Sequence, residues 1–256
     1  MWQLYDEILE SIPRDLTIQA GVLGSYEGLI RSELGSGLGT FITLDTRPYE
    51  LIRNKINQPL IDTAKLIKSF NFAEACLGQA AINAYYNSPS IARMNGVEFP
   101  NHVHGENRLS DPFIAYQNEI KGRKVAVVGH FPYLEKLFSP ICDLRIINPF
   151  EEFYGDYPKE ACEYILPECD YVFLTCVTFA NKSLPRLLEI SQNAKVTMVG
   201  PSTPIVPLLF RYGIHDLSSF IILDNDMAYD IVSGMDGHKI YTSGQKVSLK
   251  NRNGTS

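Results

Sequence analysis

From residue 124 onward, continuous apolar runs alternate with amphipathic stretches. The runs are KVAVVG at 124–129, DLRIIN at 143–148, YVFLTC at 171–176, KVTMVG at 195–200 and FIIL at 220–223. Short, β-branched or aromatic runs bounded by turn residues read as strands buried on both faces. Helical patterns separate them at 133–138, 159–166, 183–191, 204–212 and 225–232, with Pro167 ending the second and Gly213 the fourth. Strand and helix in alternation predict a doubly wound, Rossmann-like parallel sheet of about five strands.

The first 120 residues read differently. An amphipathic helix is predicted over 3–12, and a hairpin over 16–23 and 28–32 around Gly24-Ser25-Tyr26-Glu27. A third strand is predicted over 40–44, then two helices over 60–70 and 72–86 with Asn71 between them. Strands first and helices second imply a small α+β domain. Residues 88–111 lack periodicity and carry Pro89, Gly96, Pro100 and Gly105, the signature of a long loop. A bridging helix is expected over 112–120. The reading is therefore an α/β protein: an α+β domain over 1–110, a Rossmann-like domain over 111–250 and a frayed tail over 251–256.

Composition narrows the function. The 256 residues carry 23 Lys and Arg against 29 Asp and Glu, a formal charge of −6. That balance argues against nucleic-acid or anionic-membrane partners, which need basic patches. The deficit is uneven: nine basic against fourteen acidic residues over 1–120, and fourteen against fifteen over 121–256. No apolar stretch approaches the roughly 20 residues of a membrane span. The opening MWQLYDEILE lacks the basic and apolar regions of a secretory signal, so a cytoplasmic location is expected. Five cysteines without a CxxC pair remove zinc-ribbon and thioredoxin readings and point to reduced thiols.

In an open parallel sheet, ligands bind outside the carboxyl ends of the strands. The first such turn is Gly129-His130-Phe131-Pro132. It has one Gly of the dinucleotide fingerprint, and Pro132 cannot donate an N–H to a pyrophosphate. Asn148 stands where a nicotinamide-binding site places a ribose-binding acid. His130 can ligate a metal or move a proton near neutral pH, or it can simply pack under Pro132. The third strand leads to Thr178 and Asn181, and the fourth to Gly200-Pro201-Ser202-Thr203. These are helix-capping residues that can also present polar groups to a ligand.

At these turns the sequence becomes recognisable. VVGHFP (127–132), LTCVTFANKSLPRLL (174–188) and GPSTPIVPLLFRYGI (200–214) closely resemble the bacterial and archaeal heavy-metal chelation domain family. ACLGQAAINAYYN (75–87) resembles the domain usually found in front of it. The resemblance implies an enolase N-terminal-like domain, then a Rossmann-like one, with a site between them. One departure stands out: the family's T-G-x-T turn is here Thr175-Cys176-Val177-Thr178, which puts a thiol near the site.

On the N-terminal side two further features are candidates. His102 and His104 stand two apart, so an extended segment would put both imidazoles on one side, as donors for a divalent transition metal. Asn83 is polar within an otherwise apolar helix and needs a partner, either a ligand or neighbouring backbone. Glu151, Glu152 and Asp224 are weaker acidic candidates.

The leading expectation is binding, chelation or modification of a small metal complex or metal-chelating metabolite in the interdomain cleft. Its binding residues would be Gly129, His130, Phe131, Pro132, Thr178, Asn181, Gly200, Pro201, Ser202, Thr203 and Asn83. His130, His102 and His104 would be the metal donors. The alternatives are an adenosylmethionine or NAD(P) enzyme with a degenerate fingerprint, and a non-catalytic accessory of metal uptake. The partner is a small-molecule or metal-chelate ligand, and a homo-oligomer is compatible with every reading. No nucleophile, base and orienting group stand at recognisable spacing, so no reaction is assigned.

Overall fold

The structure is a computed structural model. It describes residues 2–42, 50, 52–99, 111–131, 133–148, 155–234 and 237–251. Helix α1 (Gln3–Glu10) leads into an antiparallel sheet, β1 (Ile18–Leu23), β2 (Glu27–Ser32) and β3 (Ser36–Thr40), in the order β1-β2-β3. Helix α2 (Leu60–Ala64) continues as a 3-10 turn over Lys65–Lys68. Then comes α3 (Phe72–Tyr86), capped by Asn71, whose side chain accepts from the N–H of Ala73. This bound matches the sequence expectation because Asn71 supplies a true N-cap.

The third strand sits earlier than expected, at 36–40 and not 40–44. Its Gly37 and Gly39 discourage a strand reading. In three dimensions they are what lets α3 lie on the sheet. A Cβ on Gly37 would stand 2.1 Å from Ala84 N, and one on Gly39 1.9 Å from Cys76 O. The expected loop over 88–111 contains a short helix, α4 (Pro89–Met94), started by its proline.

The second half begins with α5 (Pro112–Ala115), shorter than the bridging helix expected, and then builds a six-stranded sheet. Its elements are β4 (Lys124–Val128), α6 (Leu134–Phe138), β5 (Asp143–Ile147), α7 (Cys162–Ile165), β6 (Tyr171–Thr175), α8 (Val177–Ala180) and α9 (Leu184–Ile190). They continue with β7 (Lys195–Val199), β8 (Ile214–Ile222), α10 (Asn225–Ser233) and β9 (Gly244–Lys250). The spatial order is β5-β4-β6-β7-β8-β9. Pairs from β5 to β8 are parallel, while β9 joins β8 antiparallel and is a sixth strand the sequence reading did not include. Val125, Val127 and Phe173 pack against Phe113 and Phe138 on one face. Ala126, Val128, Val172 and Leu174 pack with Cys162, Leu184 and Leu187 on the other. The sheet is thus covered on both sides.

The chain runs from β4 outward to β5 and then crosses back to β6. The strand order therefore reverses between β4 and β6, where a crevice opens at the carboxyl ends. The small sheet lies against this half. Leu29 and Leu38 pack with Phe220, Ile222, Val232 and Ile240.

Candidate functional site

The β4 turn is set by Gly129, at φ +123°, a conformation that L side chains rarely adopt. A Cβ there would stand 3.0 Å from the Thr175 side chain, so the ends of β4 and β6 are nearly in contact. The turn places His130 Nδ1 2.8 Å from Asp156 Oδ2. Both side chains are mostly buried, at 15% and 6% exposure. Asp156 is carried there by a return of the chain beside β5: Tyr157 N donates to Ile146 O at 2.8 Å, and Asn148 N to Tyr157 O at 2.9 Å. A carboxylate accepting from Nδ1–H fixes the ring orientation and places the ring proton on Nδ1. That arrangement suits a metal donor or a proton acceptor.

Thr178 and Asn181 come together in a crevice of about 240 Å³ with Val128, Ile147 and Thr175, the last residues of β4, β5 and β6. This is the switch-point crevice. Thr178 Oγ1 donates to Thr175 O at 2.7 Å. Asn181 Oδ1 accepts from Ser183 N at 3.0 Å and Ser183 Oγ at 2.7 Å, so its carbonyl caps the start of α9. The turn the sequence left open after β6 is itself the short helix α8.

Phe131, Gly200 and Pro201 line a different cavity, of about 340 Å³, on the α5–α6 side of the sheet. There Asp111 Oδ1 accepts from Phe113 N at 3.0 Å, and Oδ2 accepts from Tyr133 OH at 3.3 Å and Lys246 Nζ at 3.4 Å. Burial and the adjoining Asp111 push the Tyr133 hydroxyl pKa up.

Asn83, Ser202 and Thr203 lie elsewhere, fully buried in the seam between the two halves. Gln79, Asn83 and Asn87 stand at successive four-residue steps along α3. Gln79 Nε2 donates to Cys176 O and Ser202 O at 3.2 and 2.9 Å. Asn83 Nδ2 donates to Leu38 O and Ser202 O at 2.7 and 2.8 Å. Asn87 Nδ2 donates to Thr203 O at 2.9 Å and Asn87 Oδ1 accepts from Ile205 N at 2.9 Å. The helix thus reads the backbone of the Gly200–Ile205 turn. Thr40 Oγ1 bonds Ser202 Oγ, and Ser202 Oγ lies 3.1 Å from Cys176 Sγ. Gly200, at φ +131°, passes so close that a Cβ would meet that sulfur at 2.4 Å. The Cys176 thiol is therefore enclosed by the seam, at 4% exposure.

The sequence reading missed Asp156, Asp111, Lys246, Glu27 and Tyr241. Asp111 was marked by the Asp-Pro step that opens α5, but that step reads only as a cap. Lys246 sits on the unanticipated β9. Glu27 alternates with Leu29 and shares the face that meets the second half, which the hairpin pattern alone does not tell. Pro132, His102, His104, Glu151 and Glu152 lie outside the described residues. Among the described residues, no group of three or more His, Cys, Asp or Glu side chains is placed to hold a metal ion, and no helix is long and apolar enough to cross a membrane.

Comparison with known proteins agrees with this architecture. The family model DUF364, described as "Putative heavy-metal chelation", matches residues 111–250, and DUF4213, with the same description, matches residues 5–86. An uncharacterized protein of Methanocaldococcus jannaschii is 31% identical over 210 residues, covering 78% of this chain and 76% of its own. The crystal structure of a DUF364 protein of unknown function from Desulfitobacterium hafniense superposes with a TM-score of 0.91 at 48% identity, covering 98% of this chain and 99% of that one. A DUF364 protein of unknown function from Pyrococcus horikoshii shares the fold at a TM-score of 0.77 and 20% identity, covering 97% and 98%.

Proposed function

The chain belongs to the DUF364 heavy-metal chelation family, and from that premise we propose that it binds a small metal complex or metal-chelating metabolite at the carboxyl ends of β4, β5 and β6. The observation that carries this reading is the His130–Asp156 pair, 2.8 Å apart at the strand-order reversal. His130 offers an imidazole nitrogen to the metal, and Asp156 holds the ring in orientation. The described residues supply this one donor. The remaining donors come from the chelating metabolite. Thr178 and Asn181 line the adjoining crevice and position the organic part of the complex. Binding in the cytoplasm is part of the proposal.

The test is a thermal-stability screen of metal-stripped protein, because a ligand bound only by the native state raises the midpoint. Ni²⁺, Zn²⁺, Cu²⁺ and their nitrilotriacetate complexes are compared with NAD(P) and adenosylmethionine. The metals or complexes are expected to stabilise the wild type and to lose that effect with His130→Ala. Asp156→Asn is expected to weaken affinity by roughly 10–100-fold, the usual cost of removing an orienting carboxylate. Stabilisation by nucleotides alone, or an undiminished metal response in His130→Ala, overturns the proposal.

A further inference from the structure

The cavity of about 340 Å³ beside Phe131 has a chemistry of its own. Its walls are aromatic. Phe113 stands edge-on to Phe131 at 4.9 Å and to Tyr133 at 6.0 Å, and the Lys246 ammonium lies 4.7 Å from the centre of the Tyr241 ring. Flat apolar walls of this kind favour a planar guest, stacked or edge-on.

The polar groups sort by what they have left to give. The Asp111 carboxylate is occupied by Phe113 N, Tyr133 OH and Lys246 Nζ. Ser219 Oγ donates to Thr203 O and accepts from Asn87. Lys246 spends one ammonium hydrogen on Asp111 and has two more. Ser218 Oγ lines the cavity, is buried and has no hydrogen-bond partner among the described residues. A buried hydroxyl left without a partner is costly, so a ligand oxygen that reaches Ser218 Oγ by a turn of this short side chain gains a hydrogen bond that the protein alone does not make. The Lys246 ammonium and the Ser218 hydroxyl, on the same wall, both call for an acceptor oxygen.

We propose that this cavity binds a planar aromatic carboxylate, its ring between Phe131, Tyr133 and Tyr241 and its carboxylate oxygens on Lys246 Nζ and Ser218 Oγ. Asp111 fixes Tyr133 and Lys246 in place. The inference deepens the metal-complex reading, on which its link to metal rests, by naming the organic part. The cavity shares the β4 turn with His130, whose neighbour Phe131 forms one wall. A chelating aromatic acid held here carries its metal toward that turn.

The experiment uses the metal-stripped full chain and three probes: benzoate, picolinate and cyclohexanecarboxylate, read by ligand-observed NMR titration. Benzoate and picolinate are expected to bind without metal, and cyclohexanecarboxylate at least about tenfold more weakly because its puckered ring does not fit between flat walls. Lys246→Met is expected to weaken both aromatic acids by about tenfold or more, and Ser218→Ala by several-fold. Ser218→Ala also keeps the test alive should Lys246→Met fail to fold. Tyr164→Ala, at an exposed residue that does not line the cavity, is expected to leave binding unchanged. Equal binding of cyclohexanecarboxylate, no binding of either aromatic acid, or full affinity in both cavity variants overturns the inference. Aromatic-acid binding with no metal response overturns only the metal reading, whereas a metal response without aromatic-acid binding overturns only this one.

Discussion

A single carboxyl shows how placement changes chemistry. Glu27 pairs with Thr40 across β2 and β3, on the face that meets the second half. Burial there pushes its pKa up to about 7 from an ordinary 4.5. Tyr241, itself raised chiefly by burial, lies within its electrostatic reach, as does Cys76. The folded state therefore holds the Glu27 proton more tightly than the unfolded state. The linked stability is fully present below about pH 4.5 and is lost as pH rises through about 7. Glu27→Gln mimics the neutral acid at every pH. Urea denaturation is expected to find the variant and the wild type alike near pH 5, with the variant increasingly the more stable toward pH 8. A stability difference independent of pH between 5 and 8 would show that Glu27 is ionised throughout.

At the scale of elements, α3 matters most, because it is packed by what it lacks on one side and by what it offers on another. Gly37 and Gly39 leave room for its backbone. Its Gln79, Asn83 and Asn87 side chains satisfy carbonyls of the Gly200–Ile205 turn. Gly39→Ala would drive a methyl into Cys76 O, and is expected to cost about 3 kcal/mol, the upper part of the range for overpacking. Asn87→Leu leaves Ile205 N and Thr203 O without this partner and is expected to cost about 3 kcal/mol. Tyr164→Ala, at a residue 80% exposed, is the control expected to change little. Urea midpoints at constant m-value check all three. If either seam variant matched the control, that contact would carry no weight. The same elements show what pattern reading can see. Four of the five parallel strands announce themselves because both faces are covered, so their runs are continuous, whereas β8 starts at Ile214, ahead of the run expected at 220–223, because His215, Asp216, Ser218 and Ser219 interrupt its apolar pattern. β3 hides because its glycines serve a helix 40 residues onward, and β9 hides because its buried apolar positions are only Val247 and Leu249. At the site, the turn carrying His130 was legible from the strand ends. Asp156 was not, because only the return of the chain beside β5 brings it within 2.8 Å. Asn83 was legible as a polar residue in want of a partner, but a helix periodicity cannot say that the partner is Ser202 O.

For the molecule as a whole, the seam decides whether the two halves behave as one. A single apolar cluster runs from Leu4, Tyr5 and Ile8 through α3 to Phe179, Ile205 and Leu209. Tyr5 OH donates to Phe179 O at 2.9 Å across it, and Burial raises that hydroxyl's pKa. A second cluster joins Leu29 and Leu38 to Phe220 and Ile222. Opposite charges also meet across the seam, Arg31 with Asp226 at 2.7 Å and Arg211 with Glu7. These pairs are exposed and contribute little, so the apolar contact and the α3 amides must carry the coupling. Separating the halves would expose both clusters and leave the Ser202 and Thr203 carbonyls bare of these amides, so neither half has reason to unfold first. Scanning calorimetry is expected to give one transition whose calorimetric and van't Hoff enthalpies agree. Asn87→Leu should lower that transition without splitting it. Two resolved transitions in the wild type would mean that the halves are independently stable and that the seam is a contact between finished domains. One transition would mean that the Gly200–Ile205 turn is held in place by α3 as much as by the strands that flank it.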